Sequence, residues 1–139
     1  MNRIAVLLAL LSLSCNTAPP MTSAASPPIS LSIATDGGIS GRGIGSVSIE
    51  GEEVTTDRCR GTLTVEERDA LRRLAGDAHP ESWKESYGEP ARPDQVHYTL
   101  TLAGHTTSWH GETQPDLPKE VSALRELAWK VRGRVVAGC

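Results

Sequence analysis

From Gln95 to Leu102 the chain alternates strictly: Val96, Tyr98, Leu100 and Leu102 are apolar, while Gln95, His97, Thr99 and Thr101 are polar. Period 2 marks a strand, because successive side chains point to opposite faces. A strand with one apolar face needs partner strands beside it and another layer over that face. Ala103 and Gly104 turn the chain, and residues 105–110 return. In a tight hairpin Tyr98 stands opposite Trp109 on the apolar side, and His97 stands opposite His110 on the polar side. A slip of one residue would exchange the two faces.

The same alternation opens the domain, with Ile29, Leu31 and Ile33 separated by small residues. A glycine-rich loop follows at Asp36, Gly37, Gly38, Ile39, Ser40, Gly41 and beyond. A second strand is predicted over 44–50, with Val47 and Ile49 on one face. Gly51 is the turn, and a third strand carries Val54 and runs to about Arg58. Thr64-Val65-Glu66-Glu67 has the form of a capping box. It predicts a helix to about Ala78 that buries Leu71, Leu74, Ala75 and Ala78, with His79-Pro80 ending it. Trp83 and Tyr87 fall in a predicted loop. Asp116-Leu117-Pro118 opens a second helix, with Asp116 or a neighbour as cap, an apolar stripe from Leu117 to Val131, and Gly133 as its stop. The order is β-β-β-α-β-β-α. It predicts an α+β domain over 29–139: an antiparallel sheet with two helices packed on one face.

Aromatic residues make up 4% of the chain and phenylalanine is absent, so the core must be aliphatic, helped by Trp83, Trp109, Trp129, Tyr87 and Tyr98. A formal net charge of −3 excludes the basic footprint of a nucleic-acid binder.

The N-terminus reads as an address. Arg3 precedes a ten-residue apolar run over 4–13. As a helix such a run rises only ~15 Å, too short for a hydrocarbon core of ~30 Å. Residues 1–14 are therefore read as a signal peptide. Ser14-Cys15 after the apolar run resembles a bacterial lipobox, with Cys15 as the lipidated residue. Ser12 stands where that pattern has Leu. The alternative is cleavage near Ala25, after Ser23-Ala24-Ala25. Residues 15–28 hold four of the nine prolines and read as a Pro/Ser-rich tether. Either cleavage places the domain outside the cytoplasm, lipid-anchored in the cell envelope or secreted.

With Cys15 taken by lipid, Cys59 and Cys139 remain. In an oxidising compartment two leftover cysteines are expected to pair. Closing a loop of ~80 residues contributes up to ~4–5 kcal/mol in the chain-entropy picture. The absence of a Cys-x-x-Cys pair argues against zinc or redox chemistry.

Catalytic patterns are missing from the sequence. There is no Gly-x-Ser-x-Gly elbow. The 37–41 glycines join strand to strand and lack the Lys of a phosphate loop. His97 and His110 are cross-strand neighbours without a clear third ligand, so they read as polar residues on a solvated sheet face. Glu50, Glu52 and Glu53 read as a solvated hairpin tip. No catalytic residue, metal ligand or cofactor is expected, and the chain reads as a non-enzyme.

Three segments stand in a specific order: a strand followed by Asp36-Gly37-Gly38-Ile39-Ser40-Gly41; the Leu63 to Leu74 helix followed by Trp83, Pro93-Asp94 and Tyr98-Thr99-Leu100-Thr101-Leu102; and Asp116-Leu117-Pro118 before a Leu-rich helix. Together they resemble emfourin, a family of small bacterial inhibitors of protealysin and related thermolysin-like zinc metallopeptidases. The resemblance covers residues 29–132 and implies a secreted metallopeptidase as partner. The lipobox, the tether and the Cys59/Cys139 pair depart from the family pattern and imply a surface or periplasmic paralogue. An inhibitor needs an exposed, rigid segment that enters a cleft. Gly37, Gly38, Ile39, Ser40 and Gly41 are the candidate partner-binding residues, with Ile39 suited to an apolar pocket. Two arrangements of Ile39 stand open: projection into solvent, or folding back onto the sheet. A second functional reading is a membrane-tethered binding or structural lipoprotein with no peptidase target.

Overall fold

The structure is a computed structural model and describes residues 25–89, 92–112 and 114–139. The expected signal peptide, the expected lipidation residue Cys15 and the expected tether up to residue 24 lie outside the described residues. The domain is α+β. Its strands are β1 (Ser30–Gly37), β2 (Ser46–Glu50), β3 (Glu53–Thr56), β4 (Arg60–Thr62), β5 (Ser86–Tyr87), β6 (Val96–Leu102) and β7 (His105–His110). Its helices are α1 (Val65–Asp77) and α2 (Lys119–Ala137). One sheet runs in the order β4-β3-β2-β1-β6-β7-β5.

Register follows the apolar alternation. Leu31 pairs with Ile49 and Leu102, Ile33 with Val47 and Leu100, and Tyr98 with Trp109. All of these are buried on one side. On the other side Ser32, Ser48, Thr99, Thr101 and Ser108 are only partly covered. The buried face is closed by α2, which crosses β1 to β4, and α1 packs against α2. Val121, Leu124, Ala128, Val131 and Val135 form the buried stripe of α2.

The capping box forms as expected. The Glu67 amide donates to Thr64 Oγ1 at 3.2 Å, and the Thr64 amide donates to Glu67 Oε2 at 2.9 Å. The Glu67 carboxylate is buried and also accepts from the Arg134 guanidinium at 2.7 and 2.8 Å. Those hydrogen bonds hold its pKa below the usual carboxylate value, against the opposing effect of burial.

Five details differ from the sequence expectations. The sheet has seven strands, and β5 pairs parallel to β7, so Tyr87 belongs to a short strand and not to a loop. The third strand stops at Thr56, not Arg58. There the Thr56 hydroxyl accepts from the Arg58 and Cys59 amides at 3.2 and 2.9 Å and turns the chain into β4. The second strand starts at Ser46, because the Ile44 and Gly45 amides are held by a side chain of β1. The second helix has Pro118 at its N-cap and no side-chain cap, so Asp116 does not fill that role. Finally, α2 passes through Gly133 to Ala137. Val135 extends the apolar stripe one turn further, and Gly61 of β4 makes room for it: a Cβ there would sit 3.0 Å from the Val135 methyls.

Cys59 and Cys139 are disulfide-bonded, with Cα atoms 6.6 Å apart. The bond ties the end of α2 to the β3–β4 turn. Arg132 reaches the same turn, with Nε 2.7 Å from Asp57 Oδ1 and Nη2 3.0 Å from Asp57 Oδ2.

Candidate functional site

The loop between β1 and β2 carries the candidate residues, and its backbone is fixed from within. Gly37, Gly38, Gly41, Gly43 and Gly45 all adopt positive φ. Only glycine does this without strain. At Gly43 the requirement is doubled, because a Cβ would lie 2.4 Å from the Thr35 carbonyl oxygen.

Hydrogen bonds close the loop in three places. The Gly38 amide donates to the Gln95 carbonyl at 3.0 Å, which pins the loop's start to β6. The Gly41 amide donates to the Gly38 carbonyl at 3.0 Å, closing a β-turn with Ile39 and Ser40 at its centre. The Gly43 amide donates to the Gly37 carbonyl at 2.9 Å. Thr35 then gathers the returning strand: its Oγ1 accepts from the Ile44 and Gly45 amides at 2.8 and 3.0 Å and donates to the Gly45 carbonyl at 2.8 Å.

Ile39 is 98% exposed, so of its two open arrangements it takes projection into solvent. Ile44 is 52% exposed on the same loop. Burying a large aliphatic side chain is worth ~1.5–3 kcal/mol, and the fold leaves that gain unrealised at Ile39. Ser40 and Gly41 are exposed beside it, while Gly37 and Gly38 are half-buried at the root.

A row of polar residues stands at the same root on the open sheet face. Asp36 pairs with His97, and His97 with His110. Asp36 Oδ2 is 3.2 Å from His97 Nδ1, and the two imidazoles stack with centroids 4.5 Å apart. Partial burial lowers the pKa of His110, nearby His97 lowers it further, and Asp36 opposes both. Among the described residues no group of three His, Cys, Asp or Glu side chains is placed to hold a metal ion.

Sequence reasoning missed Thr35 and Asp36. Thr35 interrupts an inward-facing apolar series after Leu31 and Ile33, and that break was the available signal. Asp36 is a neighbour of His97 only because β1 pairs with β6, a contact between strands far apart in sequence.

A further cleft lies elsewhere, where the chain enters the domain. It has a volume of about 910 Å³ and is lined by residues such as Pro28, Ile29, Ala75 and Leu102, with Arg72 as its charged side chain. No described helix is long and apolar enough to cross a membrane. No protein-family model, curated protein or solved structure matches the chain.

Proposed function

We propose that this protein is an extracytoplasmic, lipid-anchored inhibitor of thermolysin-like zinc metallopeptidases, and that the 37–45 loop is its contact surface. The observation that carries this reading is the fully exposed Ile39 at the tip of an internally hydrogen-bonded β-turn. Thermolysin-like enzymes favour a large apolar side chain just after the scissile bond, and Ile39 offers one. A loop on a rigid scaffold is where recognition is usually carried. Pre-organisation supports affinity, since a loop already in its bound shape loses little entropy on binding. An inhibitor loop must also avoid productive cleavage, and the turn supports this: Gly38 is left-handed and the turn is closed at Gly41, so the backbone around Ile39 is not extended as a scissile segment would be.

The emfourin-like order of segments and the signal-like N-terminus support the same reading. A diacyl or triacyl group on Cys15 would hold the domain stably at a membrane, at ~0.8 kcal/mol per buried CH₂. Mass spectrometry of the native N-terminal peptide tests that anchor; an unmodified terminus near Ser26 removes it.

The deciding experiment is titration of thermolysin with the purified protein, followed by residual peptidase activity. Stoichiometric loss of activity is expected. Full activity at micromolar excess across a panel of such enzymes overturns the reading and leaves a tethered binding lipoprotein as the better account.

A further inference from the structure

We propose that the Asp36–His97–His110 row makes the loop's grip on its target proton-dependent: a proton on His110 beside a protonated His97 puts two like charges in the stack and drives the rings apart, the Asp36 end of β1 loosens with them, and the target is held at neutral pH and released in acid. The inference rests on the loop being the contact surface.

The geometry joins the row to the loop. Asp36 immediately precedes Gly37, which pairs with Val96 and whose carbonyl accepts from Gly43. His97 lies two residues beyond Gln95, whose carbonyl accepts from Gly38. The row and the loop therefore share one root, made of residues 36–38 on one strand and 95–97 on the next. His97 and His110 stack at 4.5 Å, a separation that suits two neutral imidazoles and not two imidazolium ions. The charged groups acting on His110 are His97 and Asp36. Ala34, Thr99 and Ser108, the adjacent outward residues on β1, β6 and β7, carry no charge. Gln114 donates to the His110 carbonyl, and Glu112 acts on Tyr98.

The sign follows from His110. Its proton affinity is lowered in the folded arrangement, so that arrangement favours the neutral ring. The closed root is intact above the ordinary histidine value of ~6.5 and is lost as pH falls below it.

The test combines two measurements on wild type and His110→Gln at about pH 7.5 and about pH 5.5, which bracket an ordinary histidine. One is the inhibition constant against thermolysin. The other is amide-exchange protection of Gly38, Gly41 and Gly43 in the free protein, corrected for intrinsic exchange. For wild type, acid should weaken inhibition about tenfold and lower protection about tenfold, the change one linked proton gives per pH unit. For His110→Gln both ratios should stay within about twofold, since the coupled proton is gone. His97→Gln removes the repelling partner but leaves the partial burial of His110, so its ratios should fall between those of wild type and His110→Gln, which keeps the test decisive should His110→Gln fold poorly. Equal pH ratios in wild type and variants, or unchanged protection in wild type, overturn the proposal. Changed protection without inhibition at either pH means the target reading fails while the proton-sensitive root stands.

Discussion

Tyr98 and Trp109 face each other across the β6–β7 hairpin with ring planes 1° from parallel and centroids 5.2 Å apart. Trp109 is fully buried and Tyr98 nearly so. One position along, His97 and His110 stack on the opposite face. The two faces of the hairpin therefore carry very different amounts of stability. Trp109→Ala should cost ~3–5 kcal/mol, because it leaves a large cavity in the buried core. His97→Ala should stay within ~0.5 kcal/mol, because its ring is partly solvated. Urea unfolding of both variants checks this; comparable costs would contradict the register.

That register was legible because two local facts sufficed: strict alternation over 95–102 and a two-residue turn at Ala103-Gly104. The capping box was legible for the same reason, since Thr64 and Glu67 answer each other within one turn. β4 and β5 were not. Arg60-Gly61-Thr62 and Ser86-Tyr87 carry no alternation, and they become strands only because β3 and β7 offer unpaired edges. The end of α2 was misread because Gly133 has a stop's local chemistry. Packing of Val135 against Gly61 and the Arg134–Glu67 pair, both formed with distant residues, outweigh that weak preference. At the candidate site the glycines and Ile39 were legible, but the hydroxyl and carboxylate that organise the root depend on strand pairing.

The Cys59–Cys139 bond closes a separation of 80 residues. Cys139→Ser should lower unfolding stability by ~2–5 kcal/mol. Denaturant midpoints of the variant, and of wild type before and after reduction, measure it. Coincident curves would show that the bond adds nothing to the fold.

Asp57 gives the fold an acid-sensitive contact near that bond. Its pKa is lowered from 3.8 to about 2, chiefly by hydrogen bonds from the Arg132 side chain. The folded state therefore binds this proton less readily than the unfolded chain does. Its contribution is present above about pH 4 and is lost as pH falls through about 2. The pair is partly solvated, so about 1 kcal/mol or less is expected. Asp57→Asn should flatten that part of the stability profile, as read from urea midpoints against pH.

Ile39 touches solvent and little else, so Ile39→Asp should leave stability within ~0.5 kcal/mol. In an apolar pocket the same carboxylate would be buried without a partner. Inhibition should weaken by about thirtyfold or more, the ~2 kcal/mol expected of a central anchor residue. An unchanged inhibition constant would remove Ile39 from the interface. A large loss of stability would contradict its exposure.

Thr35 separates the shape of the loop from its contacts. Its hydroxyl serves the Ile44 and Gly45 amides and the Gly45 carbonyl, yet lies at the loop's base, four residues before Ile39. Thr35→Val keeps the side chain's outline and removes every one of those hydrogen bonds. The two amides then lose their acceptor, at a cost of ~1–3 kcal/mol in stability if they stay covered. Should they turn to water instead, the stability cost shrinks and the loop's return path becomes mobile. In both cases Ile39 is still present but no longer held in place, so binding must first restore the loop's order. Inhibition should fall by about tenfold, the equivalent of ~1.4 kcal/mol. The loss should appear chiefly as slower association, because the competent shape is populated only part of the time. An inhibition constant equal to wild type, together with unchanged exchange at Gly43 and Gly45, would mean that the glycine turns alone hold the loop.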